Sequence, residues 1–176
     1  MTDWEIEKAL GRHQIQVYQL PTEQVRTDST SAAVYHEPNQ GTLIRYGVSK
    51  DHRPDLGQFK MMLSALDPLH LPLATLVVPG NEADDGLYLP IIEQSRQVLG
   101  RRGVLYIGDS KMEALATRAG IVSAGDYYYV PLSMKGKQAD LLHQLVDKVW
   151  EKKNSLPLVT TVDLKTERTK SVGRVY

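Results

Sequence analysis

Runs of apolar residues, some continuous and some periodic, divide the chain into helical and extended segments. Thr2 followed by Glu5 is typical of a capping box, and the apolar positions in residues 4–10 predict a short helix that Gly11 ends. β-branched and aromatic residues across residues 15–35 then predict extended structure. The chain is therefore expected to begin with a short helix followed by strand.

The middle of the chain predicts a hairpin and then a helix. Residues 42–46 have extended character, and the apolar runs 59–66 and 71–78, joined by a short polar turn, indicate two well-buried strands. Between residues 87 and 99, apolar side chains recur at helical spacing.

The last third alternates strand and helix. The apolar run 104–107 predicts a strand that leads to Asp109, and residues 112–119 predict a short helix that Gly120 ends. Residues 127–130 read as the last core strand. Residues 137–153 form the clearest amphipathic helix, followed by a polar tail. Antiparallel strands followed by an alternation of helix and strand indicate an α/β fold.

Composition narrows the function classes. The 176 residues suffice for one domain with a real core, and 21 basic residues balance 21 acidic ones, so a partner nucleic acid would need a local basic strip. The absence of cysteine excludes disulfides, thiolate zinc sites and cysteine nucleophiles, and the five histidines lack zinc-ligand spacing. Without a signal peptide or an apolar run of membrane-spanning length, we expect a soluble cytoplasmic protein that is associated with the nucleoid and not with a membrane.

Two aspartates are the candidate chemistry. Asp28 and Asp109 each end a strand-like run, and carboxylates at strand ends can hold the divalent cations that stabilise a phosphodiester displacement. The alternative is structural, because aspartate at a strand end often forms a turn or caps a helix.

Four blocks of sequence, in order, carry a resemblance to a known family. They are residues 27–31 (TDSTS), 46–56 (YGVSKDHRPDL), 79–81 (PGN) with Asp84, and 109–112 (DSKM). Together they resemble the DDE transposases of bacterial insertion sequences. The resemblance implies a ribonuclease H-like mixed sheet flanked by helices, with Asp28 as the first acid and Asp109 as the second, lying side by side on Mg²⁺ or Mn²⁺. It also implies DNA partners, at the element ends and the target, rather than a small-molecule substrate, and it allows a homodimer.

The resemblance also suggests how the chain is organised. Residues 1–24 would be the stump of a preceding segment, 25–136 the catalytic core, and 137–176 the amphipathic helix with the start of an insertion or tail. The family's third acid, a glutamate in a Tyr, Arg, Glu, Lys pattern, is not found. Glu151 and Glu167 are weak substitutes whose default interpretation is a solvated carboxylate. We therefore expect a chain truncated at both ends.

Four basic residues are candidates for DNA phosphate contacts: Lys50, His52, Arg53 and Lys111. The alternative for the first three is a solvated polar loop, in which Asp51 and Asp55 could pair with the cations. Beside Lys111, Ser110 is expected to cap the following helix.

Three functions stay open. The first is a transposase core that cleaves DNA and transfers the strand. The second is a non-catalytic remnant that retains weak DNA or protein binding. The third is a different ribonuclease H-like nuclease, against which the block at residues 46–56 argues.

Overall fold

A computed structural model describes residues 2–39, 41–48, 52–131, 133, 136–151, 158–163 and 168–174. The chain forms two compact units, Met1–Pro131 and Leu132–Tyr176. The first unit contains both candidate aspartates.

A five-stranded mixed sheet organises the first unit. Its strands are β1 (Gln24–Val34), β2 (Gly57–Leu66), β3 (Leu71–Pro79), β4 (Leu105–Ile107) and β5 (Tyr127–Tyr129). The spatial order is β3-β2-β1-β4-β5, in which β1, β2 and β3 pair antiparallel while β4 runs parallel to both β1 and β5. The predicted hairpin of β2 and β3 is confirmed.

Three α-helices flank this sheet. They are α1 (Asp3–Tyr18), α2 (Tyr88–Leu99) and α3 (Leu115–Ser123), and short 3-10 turns at Asp85–Leu87 and Ser110–Glu113 precede α2 and α3. Helix α2 packs on β1, β2 and β3, whereas α1 packs on β3 and α2. The predicted fold class, a ribonuclease H-like mixed sheet flanked by helices, is confirmed.

Helix α2 is the centre of the core. Five of its twelve side chains are buried: Tyr88, Ile91, Ile92, Ser95 and Val98. The buried Ser95 hydroxyl is hydrogen-bonded to the Ser64 hydroxyl (2.6 Å) and to the carbonyl of Ile91 (2.7 Å). Since an intact polar contact joins α2 to β2, the helix cannot slide along the sheet without losing it.

Helix α1 corrects the expectation of a short helix followed by strand. The Thr2 and Glu5 capping box forms as predicted, but the helix continues through Gly11 to Tyr18 and ends at Gln19 in a left-handed conformation. A Cβ atom at Gly11 would lie 2.9 Å from Cγ1 of Val98, so this glycine permits a close helix–helix approach. Tertiary packing of the helix therefore overrides the β propensity of residues 15–18.

Two further local predictions are wrong. Residues 42–46 form no strand, and only an isolated bridge joins Arg45 to Gln58. Gly120 does not end α3, because the helix runs on to Ser123. A Cβ at Gly120 would lie 2.7 Å from Cδ2 of Leu89, which again indicates glycine as a packing residue.

The second unit contains one helix and one strand pair in its described part. The predicted amphipathic helix is confirmed as α4 (Lys137–Trp150). The segment expected to be a polar tail contains β6 (Leu158–Asp163) and β7 (Arg168–Arg174), which pair antiparallel. Among the described residues, no helix is long and apolar enough to cross a membrane.

A buried ion pair joins α2 to the loop before β5. The Asp126 side chain is fully buried, and it accepts hydrogen bonds from Nε of Arg96 (2.7 Å) and from the backbone N–H of Val104 (3.1 Å). Arg96 also reaches Glu93 at 3.2 Å, but that carboxylate is 55% exposed. The two partners of Arg96 should therefore differ greatly in their contribution to stability.

We predict that Asp126→Ala lowers the free energy of unfolding by about 3–5 kcal/mol, because it leaves Arg96 and the Val104 N–H buried without their acceptor. The matched control Glu93→Ala removes the exposed partner of the same arginine and should cost at most about 1 kcal/mol. Urea unfolding followed by circular dichroism measures both. Equal losses for the two variants would contradict the assignment of Asp126 as the structural partner.

Candidate functional site

The parallel pairing of β1 with β4 brings the two candidate aspartates together. The last pair in this ladder joins Arg26 to Ile107. Asp28 and Asp109 each lie two residues beyond that pair, so the register places them opposite each other where the ladder ends. The adjacency that the resemblance implied is therefore consistent with the observed topology.

Asp28 lies in the interior of β1, not at its end as the sequence suggested. Along this strand, the side chains of Val25, Thr27 and Ser29 are buried, and those between them are exposed. Asp28 thus belongs to the exposed row, and its Oδ1 accepts the backbone N–H of Ser29 at 2.7 Å. A long strand supplies a rigid support for an accessible carboxylate.

Asp109 lies two residues after the end of β4 and caps the next 3-10 turn. Its Oδ1 accepts the backbone N–H of Lys111 at 2.9 Å, so the capping role expected of Ser110 belongs to Asp109 instead. The residue before it, Gly108, allows close packing, since a Cβ there would lie 2.6 Å from Sδ of Met112 and 3.3 Å from Oγ1 of Thr27. A larger residue at position 108 would require Met112 to move.

Tyr88 is a residue of the site that sequence reasoning missed. It is the first residue of α2 and fully buried, and its hydroxyl donates a 2.5 Å hydrogen bond to Oδ1 of Asp109. Two donors therefore hold the same oxygen of this carboxylate, one from Tyr88 and one from the backbone of Lys111. The available signal was a tyrosine at the start of a buried helix, since a buried hydroxyl needs a partner.

Negative charge surrounds the Tyr88 hydroxyl. Burial and the hydrogen bond to Asp109 raise the pKa of Tyr88 far above its ordinary value, and the charges of Asp109, Asp28 and Asp84 add to the effect. The phenol consequently stays protonated, and it acts as a hydrogen-bond donor. A phenolate nucleophile is disfavoured at this position, because its charge would face three carboxylates.

Asp84 is held by a buried lysine. Nζ of Lys60, a residue that is only 7% exposed, lies 2.7 Å from Oδ1 of Asp84 and donates to the carbonyl of Glu82 at 2.5 Å. The Asp84 side chain makes no capping bond to the turn at Asp85–Leu87. Through its ion pair with Lys60, Asp84 instead connects the loop before α2 with strand β2.

The four basic candidates are distributed over different parts of the chain. Lys111 is exposed and adjoins Asp109. Arg53 forms a bidentate pair with Asp55 (2.7 and 2.8 Å), as expected, and also bonds Tyr35 just beyond the end of β1. At ~3.3 Å per residue of strand, that end lies roughly 20 Å from Asp28. His52 adjoins Arg53, while Lys50 and Asp51 lie outside the described residues.

The donor set of the site is two carboxylates with a tyrosine behind one of them. Within the described ranges, no group of three or more histidine or acidic side chains is arranged to hold a metal ion. Glu151 follows α4 in the second unit and is exposed, and Glu167 lies outside the described residues. Asp28 and Asp109 remain the candidate oxygen donors for a hard cation.

No model of a known protein family matches the chain, and no curated protein matches it. Solved structures do resemble it. A piggyBac transposase synaptic complex with hairpin DNA is 9% identical with a TM-score of 0.51, over 93% of this chain and 36% of that one. A Mos1 transposase paired-end complex with left transposon end is 8% identical with a TM-score of 0.42, over 86% of this chain and 54% of that one.

A simian T-cell lymphotropic virus intasome is 9% identical with a TM-score of 0.42, over 79% of this chain and 45% of that one. The chain matches at most about half the length of these three proteins. At such low identity the likeness concerns the fold alone. The fold of this chain is that of a segment of the piggyBac transposase, which agrees with the ribonuclease H-like sheet described above.

Proposed function

We propose that this chain is the core of a DDE transposase of the bacterial insertion-sequence type, which carries out DNA transposition by metal-dependent strand cleavage and strand transfer. Asp28 and Asp109 are its proposed metal ligands, for Mg²⁺ or Mn²⁺, and DNA at the element ends and at the target is its proposed partner. A homodimer would bring two such cores to two element ends.

One observation supports the proposal: Asp28 and Asp109 each lie two residues beyond the last pair of the parallel β1–β4 ladder, Arg26 and Ile107. Both carboxylates are exposed, so a cation and a DNA strand can reach them. Ligands also bind preferentially beyond the carboxyl ends of parallel strands in α/β sheets, where Asp109 follows β4. The fold shared with the piggyBac transposase segment agrees with this placement.

The side chains at the proposed site are of the chemical type that binds a divalent cation. Carboxylate oxygens are the ligands that Mg²⁺ and Mn²⁺ prefer, and the Tyr88 donor would orient the Asp109 carboxylate as outer-shell hydrogen bonds do in metal sites. When bound, such ions would supply positive charge that stabilises the attacking and leaving oxygens of a phosphodiester. Two carboxylates hold cations more weakly than three, and so we expect modest affinity.

We predict weak but saturable Mn²⁺ binding that depends on both aspartates. Asp28→Asn and Asp109→Asn should each weaken it by roughly tenfold or more, because each removes one charged ligand from a site with few ligands. Asp3→Asn on α1 makes the same chemical change at an exposed position and should leave binding unchanged. Isothermal titration with Mn²⁺ measures all four proteins, and identical titrations for all of them would refute the site.

We predict that Tyr88→Phe weakens Mn²⁺ binding by about 10-fold without unfolding the protein, since it removes a donor that orients Asp109 and keeps the ring. The loss in unfolding free energy should be near 1 kcal/mol, the net contribution of one hydrogen bond. Titration and urea unfolding of the same preparation separate the two effects. Unchanged Mn²⁺ affinity in Tyr88→Phe would show that the hydroxyl has a structural role only.

A second candidate, the non-catalytic remnant, is favoured by a specific observation. In the described part of the chain the two aspartates gain no third acidic partner for a metal. If this chain lacks the third ligand, the purified protein should nick supercoiled plasmid DNA inefficiently even in Mn²⁺. Efficient nicking that Asp28→Asn abolishes would show that a third ligand is present and would reject the remnant.

A further inference from the structure

A second charged region lies at the other end of α2 from Tyr88. Here a cavity of about 350 Å³ is lined by Glu93, Arg96, Gln97, Gly100, Arg101 and Arg102, and we call it the arginine pocket. At ~1.5 Å per residue, the lining residues of α2, from Glu93 to Gln97, lie roughly 8–14 Å along the helix axis from Tyr88. The pocket is therefore distinct from the Asp28 and Asp109 pair.

Helix α1 adds two cations beside the pocket. Lys8 and Arg12 are one helical turn apart, and both contact Gln97: Nζ of Lys8 lies 3.3 Å from its side-chain oxygen, and Nη2 of Arg12 lies 2.7 Å from its carbonyl. Both acceptors are uncharged. These contacts bring the positive charge of α1 to the rim of the arginine pocket.

The ion pairs in this region do not neutralise all of its positive charge. Arg96 is neutralised by Asp126 and Glu93, and Arg101 lies 3.2 Å from Glu23. By contrast, no carboxylate among the described residues pairs with Lys8, Arg12 or Arg102. Five cations thus share three carboxylates in this region, which leaves a surplus of two positive charges although the chain as a whole is neutral.

Capping of α2 explains only part of this cluster. The carbonyls at a helix C-terminus attract cations, and the bond from Arg12 to the Gln97 carbonyl has that role. The Arg96 carbonyl is already satisfied by the N–H of Gly100 at 2.8 Å, and Arg102 makes no bond to the end of the helix. Arg102 and Lys8 are therefore in excess of what the helix end requires.

A buried hydroxyl adds an independent observation. Tyr106 is fully buried, and its hydroxyl has no hydrogen-bond partner within the described part of the chain. The charges that act on this hydroxyl include those of Arg96, Glu93 and Arg102, which line the pocket. The guanidinium carbon of Arg96, which lines the pocket, lies 5.8 Å from the centre of the Tyr106 ring, so a side chain with an unsatisfied hydroxyl packs against a pocket residue.

We propose that the arginine pocket, with Lys8 and Arg12 at its rim, binds the phosphodiester backbone of double-stranded DNA at a point separate from the Asp28 and Asp109 pair. The identity of the partner as DNA rests on the proposed function. Guanidinium and ammonium groups are the main phosphate contacts of proteins, and such contacts carry no sequence preference. The pocket would position the duplex, whereas the aspartate pair would act on it.

The test is fluorescence anisotropy of a labelled mixed-sequence duplex with the full chain, over a series of salt concentrations without divalent metal. In the double variant Lys8→Gln/Arg102→Gln, DNA affinity should fall, and the slope of log K against log[salt] should become shallower by about 2, one for each lost phosphate contact. The double variant Lys8→Arg/Arg102→Lys keeps both charges and should retain most of the affinity, which excludes misfolding as the cause. Lys148→Gln removes one positive charge at an exposed position of α4, half the charge change of the double variant, and should leave the salt slope nearly unchanged.

An unchanged salt slope in Lys8→Gln/Arg102→Gln would overturn the proposal that the pocket binds DNA. An equal loss of DNA affinity in Lys148→Gln would overturn it as well. A Mn²⁺ titration of the same variant separates this proposal from the proposed function. Loss of DNA affinity with intact Mn²⁺ binding supports both. If the wild-type protein shows no Mn²⁺ binding at the aspartates but the double variant loses DNA affinity, the result supports DNA binding at the pocket and rejects the metal site.

Discussion

The short parallel ladder between β1 and β4 is the constraint on which the candidate site depends. Only three residue pairs form it, and Asp28 and Asp109 each lie two residues beyond the last of them, although eighty-one positions separate the two aspartates in the sequence. Strand β4 is itself only three residues long, so it needs support from its neighbours. That support comes from pairing with β5 and from the buried Asp126, which accepts the N–H of Val104 just before the strand. A buried ion pair distant from the aspartates thereby contributes to their geometry.

Helix α2 connects this geometry to the rest of the unit. Its N-terminal end brings Tyr88 to Asp109 and lies close to Asp84, while its C-terminal end is surrounded by Arg12, Arg101 and Arg102. Acid near the N-terminus and base near the C-terminus complement the helix dipole. The same distribution separates an acidic end of the helix from a basic end. A single buried helix thus gives the unit two chemically opposite surfaces.

Much of the fold could be predicted from the sequence, because most helices and strands are either continuous apolar runs or have apolar residues at regular spacing. The hairpin of β2 and β3, helix α2 and the amphipathic α4 were predicted for that reason. The failures lie where packing reverses a local preference. Gly11 and Gly120 look like helix ends, yet each sits within a helix whose neighbour approaches too closely for a side chain, Val98 in one case and Leu89 in the other.

By itself, the sequence indicated an α/β fold and the order of its main elements, because periodicity and residue type are local properties of the chain. Its resemblance to DDE transposases implied the ribonuclease H-like sheet and proposed Asp28 and Asp109 as metal ligands. Only the tertiary structure decided that Asp28 lies within a long strand, that Asp109 is bonded by Tyr88, and that Arg102 gathers with Lys8 and Arg12 around the end of α2. The reason is physical: hydrogen-bond partners and net local charge arise from residues far apart in the chain, and no pattern of neighbours in sequence specifies them.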